Sequence, residues 1–117
     1  MSETMVSAKA LPKYPPLRES PDLLTVAKLL GESPDKWTKG AKYRNASGMP
    51  LDIADPQETP ASFDITGAID FVYRNPEQNQ TARIRVGMEL KTTATMWNDS
   101  PMRTYEDVMN LVRRCNI

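Results

Sequence analysis

Trp97-Asn98-Asp99-Ser100-Pro101-Met102-Arg103-Thr104-Tyr105-Glu106-Asp107-Val108-Met109-Asn110-Leu111-Val112-Arg113-Arg114-Cys115 carries the clearest structural signal in the chain. Its second half reads as a helix over residues 105–115. The Thr104 hydroxyl can accept from the Asp107 N–H while the Asp107 carboxylate accepts from the Thr104 N–H, a reciprocal arrangement that removes two orphan donors at a helix start. Tyr105, Val108, Leu111, Val112 and Cys115 fall on one stripe and predict a buried face. Glu106 and Asp107 suit the positive end of the helix dipole, and Arg113 and Arg114 its negative end. The first half reads as a tight corner. Asn98 or Asp99 can bond the turn backbone, Pro101 sets its direction, and Arg103 can pair with Asp99 or stack on Trp97.

Working back from that corner, residues 81–97 carry two patterns. Thr81 to Leu90 alternates as a strand would, whereas Ala82, Val86, Leu90, Ala94 and Trp97 form a helical stripe. The length of the interval, and its opening by Asn75-Pro76-Glu77, favour a helix. Upstream, Ile65, Ala68, Ile69 and Val72 predict another helix with Ser62 as its cap, and Gly67 inside it suggests a close helix crossing. A first helix is expected over 21–30. Ser20-Pro21 would begin it, Leu23, Val26, Ala27 and Leu30 would face the core, and Gly31 in a left-handed conformation would close it. Ser33-Pro34-Asp35 repeats the same opening chemistry for one turn that carries Trp37 inward as a core anchor. Between these, Lys39 to Arg44, the turn chemistry of Asn45-Ala46-Ser47-Gly48 and Met49-Pro50-Leu51 predict a short β-hairpin within residues 39–53. Pro50, Pro56 and Pro60 make 50–61 loop-like. The fold class is therefore mainly α: a small domain of about four helices with one short hairpin.

At 117 residues one core is expected, and 39% apolar residues with ten prolines imply a thin one. Residues 1–19, with Pro12, Pro15 and Pro16, read as a flexible arm on which Leu11, Tyr14 and Leu17 can anchor a partner; residues 20–117 form the domain. No secretory or membrane-spanning apolar run is present in the sequence, and a single cysteine cannot form an intrachain disulfide, so the cytoplasm is the expected compartment.

Fifteen basic residues balance fifteen acidic ones, so no overall field draws the chain to polyanions. Arg83, Arg85 and Lys91 with Arg113 and Arg114 make a basic face if their two elements lie side by side, although Glu89 interrupts the row and no aromatic residues interleave it. The chain has no histidine, which excludes Ser-His-Asp, Cys-His and zinc-finger arrangements. Cys115 lies on an apolar stripe and reads as an inert core thiol. Five isolated glycines make no phosphate cradle. Asp52, Asp55, Asp64, Asp70 and Asp99 match no calcium- or magnesium-loop spacing. No catalytic residue, metal or cofactor is expected, and the candidate binding cluster is Trp97, Asn98, Asp99 and Arg103.

Trp37-Thr38-Lys39-Gly40-Ala41, Gly67-Ala68-Ile69, and Trp97-Asn98-Asp99 with Arg103-Thr104-Tyr105-Glu106-Asp107-Val108 resemble a bacterial and bacteriophage family of small domains of unknown function, over about residues 23–114. Phe63-Asp64-Ile65-Thr66 stands where that family often places Phe-Cys, so a role for that cysteine does not transfer. The resemblance implies helices on both sides of the central loop, a helical reading of 81–97 and a phage or mobile-element origin; it implies no catalytic residue or ligand.

Two function classes follow. The first is a non-enzymatic interaction protein, such as a small phage factor that binds and inhibits a host or defence protein, with a protein partner, a second copy of the chain among the candidates, and no membrane. The second is a small metal-assisted hydrolase or nucleic-acid-binding protein that uses Asn98, Asp99 and Arg103.

Overall fold

The computed structural model describes Leu17, residues 23–51 and residues 58–117. Asp52 and Asp55, and the expected arm and helix cap at Ser20-Pro21 apart from Leu17, lie outside the described residues. Leu17 itself is buried in the domain's own core.

The five α-helices among the described residues are α1 Val26–Leu30, α2 Ile65–Val72, α3 Pro76–Glu89, α4 Ala94–Asn98 and α5 Tyr105–Cys115. Strands β1 Tyr43–Arg44, β2 Pro50–Leu51 and β3 Ser62–Phe63 form one antiparallel sheet with β1 in the middle. The fold is thus mixed α/β and not mainly α. It has one helix more than expected, because Leu90 leaves helical geometry and splits the 81–97 interval into the end of α3 and a separate α4. The helical reading of that interval otherwise holds, with Ala82 and Val86 buried.

The hairpin forms because its turn is encoded locally. The Asn45 side-chain oxygen accepts from the N–H groups of Ser47 and Met49, both at 3.0 Å, and Gly48 adopts φ +86°, a conformation that glycine enters without penalty. The third strand carries no such signal. Phe63 pairs with Tyr43 across the sheet, meets its ring edge-on at 5.9 Å, and bridges to Trp37 on its other side.

Two helix starts differ from expectation. Thr25 caps α1, which begins at Val26 with residues 23–25 outside the helix, and Asp64, not Ser62, caps α2; Ser62 is a strand residue. Gly31 ends α1 at φ −76°, so it is not left-handed; a Cβ there would lie 2.5 Å from the Ala27 carbonyl oxygen. Asn75 caps α3 ahead of Pro76, and the reciprocal Thr104–Asp107 pair caps α5 with both bonds at 3.1 Å.

Gly67 has a neighbour other than the one expected. Its close contact is the backbone carbonyl of Lys42, just before β1, and not another helix. That same carbonyl accepts from the Asp64 N–H at 3.1 Å, so α2 rests its first turn directly on the sheet. One turn later, Asp70 takes hydrogen bonds from Lys42 Nζ at 2.8 Å, Asn79 Nδ2 at 2.8 Å and Arg83 Nη2 at 2.6 Å, which ties α2 to both the hairpin and α3. The core lies between α1, α2, α3 and α5, with Ile65, Ile69, Val86, Val108, Leu111 and Val112 almost fully buried.

Gly67→Ala and Gly87→Ala are expected to shift stability in opposite directions. A Cβ at Gly67 would strike a backbone oxygen that cannot swing away, and overpacking of this kind costs about 1–3 kcal/mol or more. A Cβ at Gly87 meets nothing within 4 Å, so the helix there gains up to about 1 kcal/mol. Urea unfolding of both variants checks the pair. Asp70 gives a pH dependence. Burial alone would raise its carboxyl, but the hydrogen bonds from Lys42, Asn79 and Arg83, with the Arg83 charge, hold it below the ordinary value. A lowered folded value means that the stabilisation is present above the unfolded value of 3.8 and lost as pH falls through the folded one. Between about pH 5 and pH 2, the wild-type urea midpoint should fall more steeply than that of Asp70→Asn.

Candidate functional site

Asn98 ends the short helix α4 and is fully buried. Its side-chain oxygen accepts from Trp37 Nε1 at 2.7 Å and from the Ile65 backbone N–H at 3.2 Å. Its side-chain nitrogen donates to the Thr38 carbonyl at 3.0 Å and to Asp99 Oδ1 at 2.9 Å. Two acceptor sites and two protons are all that a primary amide offers, so every one is satisfied inside the protein. The partners also fix which end is which: an indole N–H and a backbone N–H face oxygen, and a carbonyl and a carboxylate face nitrogen.

The remaining polar groups extend the same join. Asp99 Oδ1 accepts a second bond, from the Gly40 N–H at 3.0 Å. Gly40 stands at φ +80°, which turns that N–H towards the carboxylate. Lys39 Nζ donates to the Ser100 carbonyl at 2.8 Å and to the Pro101 carbonyl at 3.3 Å, and lies 5.5 Å from the Trp37 ring centroid. From behind, Arg44 holds the 38–40 segment through Thr38 Oγ1 and the Lys39 carbonyl, each at 2.8 Å. The stretches Trp37-Thr38-Lys39-Gly40 and Asn98-Asp99-Ser100, far apart in sequence, therefore form one clasp, and the start of the Gly67-bearing helix closes it through Ile65.

The four predicted binding residues divide between two faces. Asn98 and the engaged oxygen of Asp99 point inward. Trp97 is half-buried, with the Arg103 guanidinium 3.9 Å above its ring, and Arg103 Nε donates to the Trp97 carbonyl at 2.9 Å. Of the two expected roles for Arg103, stacking on Trp97 is the one adopted; no ion pair joins it to Asp99.

Asp64 sits beside this clasp, 3% exposed, accepting from Gly67 N at 2.6 Å and Thr66 Oγ1 at 2.9 Å. Burial raises its carboxyl above the ordinary value against those two bonds, and the nearby Asp99 charge adds to the rise. Among the described residues no group of three or more histidine, cysteine, aspartate or glutamate side chains could hold a metal ion. Cys115 is buried, and desolvation pushes its thiol up to about 11, which keeps it a thiol near neutral pH.

The arginines predicted for a basic face do lie on adjoining helices, since α3 packs against α5. Most of them are engaged with the chain itself. Arg83 pairs with Asp70, Arg85 donates to the carbonyls of Cys115 and Asn116, Arg114 pairs with Glu89 at 3.3 Å, and Arg113 bonds Asn110. What the sequence reading missed was the pairing of Trp37 with Asn98. Its only sequence signal was the recurrence of two tryptophan-led motifs rich in short polar residues.

A profile described as a family of unknown function (DUF6197) matches residues 16–116, and the chain belongs to that family. Neither a curated protein nor a solved structure matches it.

Asn98→Ala is expected to lower the unfolding free energy by about 3 kcal/mol or more, because it strands the Ile65 N–H, the Trp37 N–H and the Thr38 carbonyl in a dry corner. Trp37→Phe strands only one side of one bond and should cost less, about 1–2 kcal/mol. Asn98→Asp keeps the volume but loses both donors and sets a second carboxylate against Asp99, so its deficit should grow as pH rises through the carboxylate range. Equilibrium urea unfolding at several pH values separates these outcomes.

Proposed function

We propose that this chain is a non-enzymatic binding protein whose ligand is another protein. The observation that carries this reading is the Asn98 amide, all four of whose hydrogen-bonding positions are occupied within the chain. A catalytic side chain must reach a substrate atom within about 3 Å, and neither Asn98 nor the bonded oxygen of Asp99 faces outward to do so. The lone thiol lies in the core, and the described carboxylates assemble no metal-binding group. The bacterial and bacteriophage character of the family it resembles makes a host or defence protein, held and inhibited by binding, the first class of target to test. A second copy of the chain stays within the same reading.

A weaker second reading uses the half-exposed Asp99 and Arg103 for metal-assisted hydrolysis or nucleic-acid binding; Arg103 alone favours it, as a cation with free donors near an acid. Among the described residues no helix is long and apolar enough to cross a membrane, so neither reading involves a span there.

Affinity capture from bacterial lysate, with the full chain as bait and mass spectrometry as the readout, should recover a protein at near one-to-one stoichiometry. Recovery of no stoichiometric partner across several salt and growth conditions would count heavily against binding. In parallel, millimolar magnesium should leave the thermal midpoint unchanged. A rise that disappears in Asp99→Asn would instead favour the metal-assisted reading.

A further inference from the structure

The corner that the clasp holds rigid presents an outer surface as well as an inner one. Among the described residues five large apolar side chains are exposed, and two of them, Met96 at 66% and Met102 at 85%, flank the Trp97–Arg103 stack. Methionine, tryptophan and arginine are enriched where proteins dock, and an unbranched thioether adapts its shape to the surface it meets. The backbone beneath them is pinned at Asn98, at Asp99 and by Lys39 on the Ser100 and Pro101 carbonyls, so little order remains to be imposed on binding.

Arg103 supplies the specific element. Its Nε donates to the Trp97 carbonyl and its central carbon lies 3.9 Å from the indole centroid, which leaves the two terminal nitrogens as a fork without a hydrogen bond to a described residue. Two acids stand close in sequence, yet neither takes that fork. Asp99 accepts from Gly40 and Asn98, and Asp107 accepts from the Thr104 N–H. Among the described residues no carboxylate forms an ion pair with the guanidinium, although, beside the Thr104 hydrogen bonds, its charge reaches Asp107 and helps to lower that carboxyl. A planar pair of N–H donors of this kind fits one carboxylate with two parallel bonds.

We infer that Met96, Trp97, Met102 and Arg103 form a docking surface for an acidic and apolar segment of a partner protein, whose Asp or Glu side chain takes the Arg103 fork while neighbouring apolar side chains lie on the two methionines. This rests on the binding-protein reading above and adds the partner's chemistry. A nucleic-acid strand fits the surface poorly: Arg103 already covers a face of the indole that a base would stack on, and Lys39, which reaches the same corner, points at backbone carbonyls.

The test is selection of a random linear peptide library displayed on phage against the immobilised full chain, followed by fluorescence anisotropy of the enriched peptides. Enriched peptides should carry Asp or Glu within one helical turn of Leu, Met or Phe. Their binding should weaken about tenfold or more in Arg103→Lys, which keeps the charge but loses the fork and the stack. It should weaken similarly in Met102→Glu, a change at a side chain exposed enough to leave the fold intact. Peptides that need Met102 yet lack an acid, or ignore Arg103→Lys, overturn the carboxylate assignment. A short DNA oligonucleotide that binds through Arg103 and weakens steeply with salt overturns it too. Enriched peptides indifferent to both variants, or no enrichment, overturn the surface. If the lysate partner is captured equally by Met102→Glu and Arg103→Lys, this inference fails and the binding-protein reading survives; if no partner is captured by any form, the earlier reading itself fails.

Discussion

The Asn98 carboxamide is the constraint on which the rest of this small fold turns. A fully buried primary amide with even one empty position costs about 1–3 kcal/mol, so its four bonds stand or fall together. The bonds reach three parts of the chain: the Trp37-Thr38 segment, the first turn of α2 and the neighbouring Asp99. A helix of five residues such as α4 has almost no stability of its own. It persists because its last residue is held from three directions, and it in turn fixes where the chain turns towards α5.

A second long-range join does for α1 what Asn98 does for α4. The Ile117 carbonyl accepts from the Val26 N–H at 2.9 Å and from the Tyr73 hydroxyl at 2.9 Å, while Arg85 holds the Asn116 carbonyl at 3.0 Å. The first helix is thus capped by the far end of the sequence, and Ile117 is itself 2% exposed. With few large aromatic residues to fill a core, the domain depends on polar joins of high geometric demand at both ends of its helical layer. That is consistent with a composition of 39% apolar residues, below the usual share of about 45–50%.

Whatever the chain decides locally was readable. The Thr104–Asp107 reciprocal cap, the Asn75-Pro76 start of α3 and the Asn45–Gly48 turn each involve residues within four positions of one another, and α5 shows itself by a stripe that repeats every three or four residues. What failed was a choice between equivalent local signals. Ser62 and Asp64 both suit a helix start, and tertiary packing picks the second: Ser62 is drawn into the sheet by Arg44, and Asp64 places its N–H on the Lys42 carbonyl. Gly67 was correctly read as a close approach but assigned the wrong neighbour, since the need for space says nothing about what fills it. The third strand is two residues long and has no alternation to detect. In the candidate site, sequence carries no sign of which way a buried amide faces.

That distinction in direction decides how the motif should be understood. Polar residues gathered in a loop before a helix invite a catalytic reading, because active sites use the same side chains in the same places. Asn98 and Arg103 are five positions apart and belong to one motif, yet they do opposite things. The amide has no capacity left for a ligand, and the guanidinium, held against the indole and by one backbone carbonyl, keeps its terminal donors unbonded among the described residues. The inward half makes the corner stiff, and a stiff corner is what the proposed docking surface of Met96, Trp97, Met102 and Arg103 would require. Within one short stretch, Asn98 and Asp99 lock the chain to Trp37-Thr38-Lys39-Gly40, and Trp97 beside them holds the Arg103 guanidinium through its ring and its carbonyl.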